Sequence, residues 1–193
     1  PGPVPPGPGM ERPKFDAEMD VIFGKFKAAG VNHLIVDFRY NGGGFVSSAV
    51  NLASLIAPGV KSTDVFSKTK YNSFIMEQIP ELRDAKTTFL AKNENLGNTL
   101  SGNRVYILTS SRTASASELI INGLKPYMDV FLIGNTTTGK NVGSIPFEDD
   151  DNPENKYGIL PIVTQSFNSL DQSDYTTGFK PNVEALESAE LLL

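Results

Sequence analysis

Hydrophobic residues recur along the chain with two different spacings. Between residues 15 and 29 they lie three and four positions apart and Gly30 follows, which predicts an amphipathic helix. Residues 34–38 form a short, continuous apolar run rich in branched side chains, which predicts a strand buried on both faces. A helix that leads into a buried strand favours an α/β fold.

The same alternation continues through the chain. The apolar pattern predicts a helix over residues 46–56, a strand over 104–109, a helix over 116–124 and a buried strand over 130–133. Weaker patterns predict strands at residues 64–71, 87–90 and 157–163. Residues 1–13 hold five prolines within the first nine positions, which predicts a Pro/Gly-rich linker or a remnant of cloning.

Composition limits the class of protein. The 193 residues are 39% hydrophobic and 20% charged, which is typical of one globular domain, and no apolar run is long enough for a membrane span. The net charge of -5 argues against nucleic acid as a partner. With no Cys and one His, the chain has no Cys/His zinc site, no cysteine nucleophile and no redox dithiol.

The single histidine does not favour a Ser-His-Asp triad. His33 comes just before a predicted strand and lies far along the chain from every serine cluster, so it is interpreted as an ordinary residue at a strand edge. A serine hydrolase without histidine needs another base, and lysine is the documented alternative. Lys140 is therefore the residue to consider.

Lys140 ends a segment, residues 134–140, that comes close to the phosphate-loop pattern G-x-x-x-x-G-K-[ST]. Asn141 stands where that pattern needs a hydroxyl for Mg²⁺, and Gly143 and Pro146 oppose the helix whose N-terminus would bind phosphate. Nucleotide binding is therefore disfavoured. A Thr/Gly turn with a solvated lysine is the structural alternative.

Two further segments offer backbone amides. Ser115 and Glu118 have the S-x-x-E spacing of a helix capping box, a purely structural interpretation when taken alone. A serine at a helix start also lies beside free N–H groups, so the amide of Ala116 could hold a developing oxyanion. The three glycines at residues 42–44 follow a strand and are either a tight loop or a second set of donors.

Three blocks in this order resemble the tail-specific, or C-terminal processing, serine proteases. They are LIVDFRYNGGG at residues 34–44, TASASE at 113–118 and TGK at 138–140. The similarity extends from the helix near Phe15 to Pro181 and is greatest to bacterial members. In that family a Ser/Lys dyad separated by 25 residues cuts peptide bonds, and Lys140 follows Ser115 by 25. The resemblance thus selects Ser115 rather than Ser117.

The resemblance also implies the roles of individual residues. Some members orient the lysine with a glutamine four residues later, where this chain has a serine. The implied site comprises the nucleophile Ser115, the general base Lys140, oxyanion amides of Ala116 and of Gly43 or Gly44, and the supporting residues Glu118, Asp37 and Ser144. The family needs neither a metal nor a cofactor.

The implied fold is α/β, with the mixed sheets and packed helices of ClpP/crotonase-like proteins in a single catalytic domain. Residues 14–193 would be the peptidase core, without the upstream strand and PDZ module that relatives often have. The implied function is a serine endopeptidase that cleaves unstructured or C-terminal protein segments in the cell envelope or periplasm. The alternative is a non-catalytic ligand- or peptide-binding relative of the same fold.

The proposed chemistry sets further expectations. Lys140 must be neutral to accept a proton, which requires apolar surroundings. The residues expected to form that wall are Phe45, Leu119, Val142, Ile145 and Phe147. The predicted strand at 157–163 could offer a free edge to an extended substrate. The acidic loop at 148–155 lacks the spacing of a calcium loop and is interpreted as solvated.

Overall fold

The computed structural model of the chain describes residues 14–148, 151–152 and 154–186. The predicted linker at residues 1–13 lies outside the described residues, and so do Asp149, Asp150 and Pro153 of the acidic loop. The helices are α1 (Lys14–Ala28), α2 (Val46–Ile56), α3 (Ser73–Gln78) and α4 (Ala116–Leu124), with 3-10 turns at Pro80–Asp84, Gly97–Thr99 and Ser101–Asn103. The strands are β1 (Ile35–Asp37), β2 (Val65–Tyr71), β3 (Ala85–Thr88), β4 (Arg104–Thr109), β5 (Asp129–Gly134), β6 (Val142–Ser144), β7 (Phe147–Glu148), β8 (Gly158–Ile159), β9 (Ile162–Asn168) and β10 (Val183–Glu184).

The strands form two sheets of four and one short hairpin. Sheet A has the order β1-β4-β5-β10 and every pair in it is parallel. Sheet B has the order β3-β2-β9-β6 and every pair in it is antiparallel. Strands β7 and β8 pair with each other alone. The domain is thus a mixed α/β structure, as the sequence predicts.

Helix α4 lies between the two sheets. It contacts β5 of sheet A and both β2 and β9 of sheet B, and α2 packs beside it. All nine of its residues are buried. A methyl group on Gly123 would come within 2.3 Å of Cε2 of Phe66, so this glycine is what allows the helix to approach β2 so closely.

Most of the predicted elements are confirmed. The helices predicted at 46–56 and 116–124 coincide with α2 and α4, and the strand predicted at 104–109 coincides with β4. Helix α1 lies one residue before its predicted position and β3 lies two residues before its own. Helix α3 was not predicted, because its six residues are too few to show a helical period and none of them is buried.

The prediction that residues 34–38 form a strand buried on both faces is wrong. Strand β1 is an edge of sheet A, and Ile35 is 66% exposed. Burial also alternates along β4 and β5, so the described part of the chain covers one face of sheet A fully and the other only partly. A continuous apolar run does not distinguish an edge strand from a central one.

The prediction of a single strand over residues 157–163 is wrong, and the free edge predicted for it occurs only at β8, which in the described structure pairs with β7 alone. The segment contains the end of the β7–β8 hairpin, a break at Pro161 and the start of β9. Strand β9 has β2 on one side and β6 on the other, so its backbone is paired along both edges. Proline lacks the N–H that a continuous ladder needs, which explains the break.

Candidate active site

Three loops meet because three neighbouring strands are parallel. Strand β1 ends at Asp37 and leads into the glycine-rich loop, β4 ends at Thr109 and leads to Ser115, and β5 ends at Gly134 and leads to Lys140. Because β1, β4 and β5 are adjacent and run in the same direction, all three loops leave sheet A at the carboxyl ends of its strands. Open α/β sheets bind their ligands at these carboxyl ends.

Hydrogen bonds join the middle loop to both of its neighbours. The Thr113 hydroxyl donates to the carbonyl of Phe38 at 2.8 Å, and the N–H of Ala114 donates to the carbonyl of Asn41 at 3.3 Å. On the other side, the N–H of Thr138 donates to the carbonyl of Thr113 at 2.9 Å. The three sequence blocks therefore form one connected unit.

Ser115 adopts an uncommon backbone conformation. It stands immediately before α4 with φ of 57° and ψ of -116°, and it is only half-buried. Among the described residues, the other non-glycine residues with positive φ are Asn103 and Asp171, of residue types that tolerate it better. A serine held in this region is strained, and such strain is concentrated at functional sites.

Glu118 connects the Ser115 loop to the Lys140 loop. Its carboxylate is fully buried and accepts four hydrogen bonds. Oε1 accepts from the Thr137 hydroxyl and from the N–H of Gly139, both at 2.6 Å. Oε2 accepts from the N–H of Ser115 at 3.0 Å and from the N–H of Lys140 at 2.8 Å. One carboxylate oxygen therefore fixes the backbones of the two residues that form the predicted dyad.

Gly43 lies against Ser115. It has φ of 109°, and a methyl group there would lie 2.7 Å from Cβ of Ser115 and 3.0 Å from the nitrogen of Ala116. Its own N–H donates to Oδ1 of Asn41 at 2.9 Å. Within the described part of the chain, the N–H groups of Gly44 and Ala116 have no hydrogen-bond partner. Of the two glycines suggested by the sequence, Gly44 therefore has the available amide.

Lys140 does not have the predicted apolar surroundings. Its backbone is held by Glu118, but its side chain is exposed. Leu119 is buried and Val142 is half-buried, whereas Phe45, Ile145 and Phe147 are exposed. The expected wall is thus incomplete, because Lys140 leads into β6, an edge strand of sheet B, and the exposed β7–β8 hairpin follows it.

The phosphate-loop resemblance at residues 134–140 fails on structure as well as on sequence. A phosphate loop leads from a strand into a helix, whose N-terminus faces the phosphate. Here the segment leads from β5 into β6, and Gly139 packs against the carbonyl of Thr176, 2.4 Å from the position of an added methyl group. Strand β6, and not a helix, follows this segment directly.

The comparisons with known proteins agree with this geometry. Residues 8–185 match the sequence profile of peptidase family S41. The chain belongs to peptidase family S41. An S41 protease of Bacteroides fragilis has a structure with a TM-score of 0.76 and 31% identity, over 96% of this chain and 46% of that one. A photosystem II D1 C-terminal processing protease shares the fold, with a TM-score of 0.63 and 20% identity over 88% and 39% of the two chains.

Curated S41 relatives are much longer than this chain. A protein of Staphylococcus epidermidis described as a probable CtpA-like serine protease is 27% identical over 154 residues, which are 80% of this chain and 28% of the relative. Its counterpart in Staphylococcus aureus strain N315 is 26% identical over 80% and 27%. This S41 domain therefore spans little more than a quarter of those relatives.

The two remaining predicted supports have different surroundings in the S41 domain. Asp37 accepts from Nε and Nη2 of Arg39 at 3.0 and 2.7 Å, and these hydrogen bonds hold the pKa of its carboxyl below the usual range. Asp37 thus orders the turn into the glycine-rich loop. Ser144 lies in β6, opposite Ile162, and is exposed, with no side-chain hydrogen bond to any described residue.

Sequence reasoning missed the pair formed by Asn41 and Ser117. The buried Ser117 hydroxyl donates to Oδ1 of Asn41 at 2.9 Å, and the same oxygen accepts the N–H of Gly43. Asn41 therefore fixes the glycine-rich loop to the first turn of α4. The two residues are 76 positions apart, so no local pattern could have revealed the contact.

Metal ligands are not clustered in the S41 domain as far as its residues are described. No group of three His, Cys, Asp or Glu residues there could hold an ion. A search of the same residues found no helix with the length and apolar character needed to cross a membrane.

Proposed function

We propose that this S41 domain is the catalytic part of a serine endopeptidase that hydrolyses peptide bonds in unstructured or C-terminal protein segments. Ser115 is the nucleophile and Lys140 is the general base. The main support is the shared contact with Glu118, whose Oε2 accepts the N–H of both residues although they are 25 positions apart in sequence. The strained backbone of Ser115 is a second, independent support.

The proposed reaction uses the side chains of Ser115 and Lys140 and two backbone amides. The neutral amine of Lys140 takes the proton of the Ser115 hydroxyl as the oxygen attacks the peptide carbonyl. The negative charge that develops on the carbonyl oxygen is stabilised by the N–H groups of Ala116 and Gly44. The protonated amine then gives its proton to the leaving nitrogen, the acyl-enzyme forms, and water attacks it by the same steps.

Because Lys140 is exposed, the bound substrate itself would have to exclude water from the lysine amine. Burial favours the neutral form of an amine, and the Lys140 side chain is exposed in the described structure. Phe45, Ile145 and Phe147 are exposed, and a peptide that lies over them and over Lys140 would exclude water from the lysine. The base would then become competent when the peptide binds.

The same exposure favours one alternative, a non-catalytic relative that binds peptides or ligands at the same loops. Such a protein would bind an unstructured peptide and release it uncut. The family resemblance also supports a place in the cell envelope or periplasm, for which fractionation of cells that produce the full-length protein is the test.

The experiment is cleavage of an unstructured peptide library by the chain and by its variants. We expect Ser115→Ala and Lys140→Ala each to abolish cleavage, whereas Ser111→Ala and Lys61→Ala, which change exposed residues, retain it. Bound but uncut peptide with the unsubstituted chain would favour the binding relative. Cleavage that survives in Ser115→Ala would overturn the proposal.

A further inference from the structure

The glycine-rich loop begins with an asparagine that is followed directly by a glycine. Asn41 is exposed, and its side-chain oxygen Oδ1 accepts the N–H of Gly43 at 2.9 Å. This hydrogen bond closes a turn that folds the Asn41 side chain back over the peptide bond to Gly42. The side-chain carbonyl carbon of Asn41 and the backbone nitrogen of Gly42 are therefore held close together, which favours a reaction between them.

A second hydrogen bond makes this side-chain carbonyl easier to attack. Oδ1 of Asn41 also accepts from the buried hydroxyl of Ser117 at 2.9 Å. Two donors on one carbonyl oxygen stabilise the negative charge that develops when its carbon is attacked. Among the described residues, neither the N–H of Gly42 nor Nδ2 of Asn41 has a hydrogen-bond partner. The attacking nitrogen and the leaving nitrogen are thus both available.

We propose that Asn41 is a self-modification site, which is converted to aspartate or isoaspartate by attack of the Gly42 nitrogen. That nitrogen forms a bond to the side-chain carbonyl carbon while the bond from this carbon to Nδ2 breaks. The proton of the Gly42 N–H passes through solvent to the leaving nitrogen, which departs as ammonia and leaves a cyclic succinimide. Water then opens the ring, at one carbonyl to give aspartate and at the other to give isoaspartate.

The chain contains the same pair of residues in a place where the fold prevents this reaction. Asn122 and Gly123 lie inside α4, so the N–H of Gly123 belongs to the hydrogen bonds of the helix. Asn122 is buried, and its Nδ2 donates to the carbonyl of Gln172 at 2.8 Å. The two pairs are identical in sequence, and only the one in the glycine-rich loop has a free nitrogen and an exposed side chain.

Conversion to isoaspartate would change the geometry around Ser115. In isoaspartate the main chain runs through the side chain, which adds a methylene group to the backbone just before Gly42. Gly43 has no room for such a change, because even a methyl group on it would lie 2.7 Å from Cβ of Ser115. The amide of Gly44 would therefore move relative to Ser115. If the proposed function holds, the modification limits the working lifetime of the site.

The test is peptide mass spectrometry of the folded chain during incubation at mildly alkaline pH. It measures the fractions of Asn41 and Asn122 that change from amide to acid, and labelling with an isoaspartate methyltransferase identifies isoaspartate. A synthetic peptide of residues 36–46 gives the rate without the fold, and incubation continues until half of this peptide has converted. We expect Asn41 of the folded chain to convert at least as fast as the peptide, whereas Asn122 stays intact.

Gly42→Ala tests whether the Gly42 nitrogen is the attacking group. The added methyl group shields this nitrogen, but it would meet only the carbonyl oxygen of Arg112, at 3.9 Å, so the loop keeps its conformation. We expect conversion of Asn41 to become about tenfold slower. Gly24→Ala is the matched control, because its methyl group would also make an ordinary contact, 3.6 Å from Cγ of Glu94, and the rate should not change.

Three results would each overturn the proposal: an intact Asn41 in the folded chain after the peptide has converted, equal conversion of Asn41 and Asn122, or an unchanged rate in Gly42→Ala. Every one of these readouts is a mass or a label on the chain itself. A chain that converts at Asn41 and cleaves no peptide would therefore reject the dyad and retain the modification site.

Discussion

The backbone N–H groups of Ser115 and Lys140 donate to the same oxygen of Glu118, at 3.0 and 2.8 Å. The other oxygen of that carboxylate holds Thr137 and Gly139. Glu118 is fully buried, and its four partners are all neutral N–H or O–H donors. Such an arrangement suits a side chain in which both terminal atoms accept, because a donor in place of either oxygen would leave two of these N–H or O–H groups without an acceptor.

Replacing Glu118 with Gln should therefore destabilise the domain by about 3 kcal/mol. The amide NH₂ would face two buried N–H or O–H donors and leave them without an acceptor. Urea unfolding measures the loss. Glu77→Gln is the matched control, because Glu77 is exposed, and it should shift the midpoint little. Equal midpoints for the two variants would contradict the role given to Glu118.

Gly43→Ala should destabilise the domain by about 1–3 kcal/mol. It should also reduce peptidase activity, because the added methyl group displaces Ser115. The added methyl group would meet Cβ of Ser115 at 2.7 Å, and φ of 109° is unfavourable for alanine. Gly30→Ala is the control, since Gly30 also has positive φ but has open space around it. We expect a clearly smaller loss there. A similar loss at both sites would show that contact with Ser115 is unimportant.

Ser115 and Ser117 should respond in opposite ways to substitution by alanine. Ser117→Ala removes the buried hydrogen bond to Asn41 and should cost about 1–2 kcal/mol in the free energy of unfolding, with partial activity retained. Ser115→Ala should leave stability within about 0.5 kcal/mol and abolish cleavage. Parallel measurements of unfolding and peptide cleavage distinguish the two. The reverse pattern would assign the nucleophile to Ser117.

Tyr175 predicts a loss of stability at alkaline pH. Burial, with a smaller contribution from the negative charge of Glu118, raises the pKa of its phenol above the ordinary value of 10.0. The folded state holds the phenol proton more tightly than the unfolded state does, and this difference stabilises the fold. The stabilisation is complete below about pH 10 and is lost as the pH rises further. Above about pH 10, the free energy of unfolding of the unsubstituted chain should fall by up to about 1.4 kcal/mol per pH unit more than that of Tyr175→Phe.

Denaturant unfolding at several values above and below about pH 10 measures this difference. Tyr157→Phe serves as the control, because Tyr157 is 85% exposed, and it should behave as the unsubstituted chain does. If Tyr175→Phe loses stability at the same rate as the unsubstituted chain, the buried phenol does not hold its proton in the way described.

Much of the secondary structure could be predicted from the sequence. Helices α2 and α4 and strand β4 have regular apolar spacing, so their bounds agree with the prediction. The family resemblance carried by three short sequence blocks implied the candidate dyad of Ser115 and Lys140 and its oxyanion amides. These are local features, and a local pattern is all that periodicity and motif spacing can report.

What the pattern could not determine depends on neighbours distant in sequence. Only the tertiary structure made β1 an edge strand, placed β9 inside sheet B, left Lys140 exposed and brought Asn41 to Ser117. Glu118 forms the capping contact with the N–H of Ser115 that the sequence predicts, and only the fold made it also a buried junction of two loops. Sheet order and hydrogen bonds between loops are fixed by the packing of the whole chain, because the stability of each contact depends on which other segments cover it.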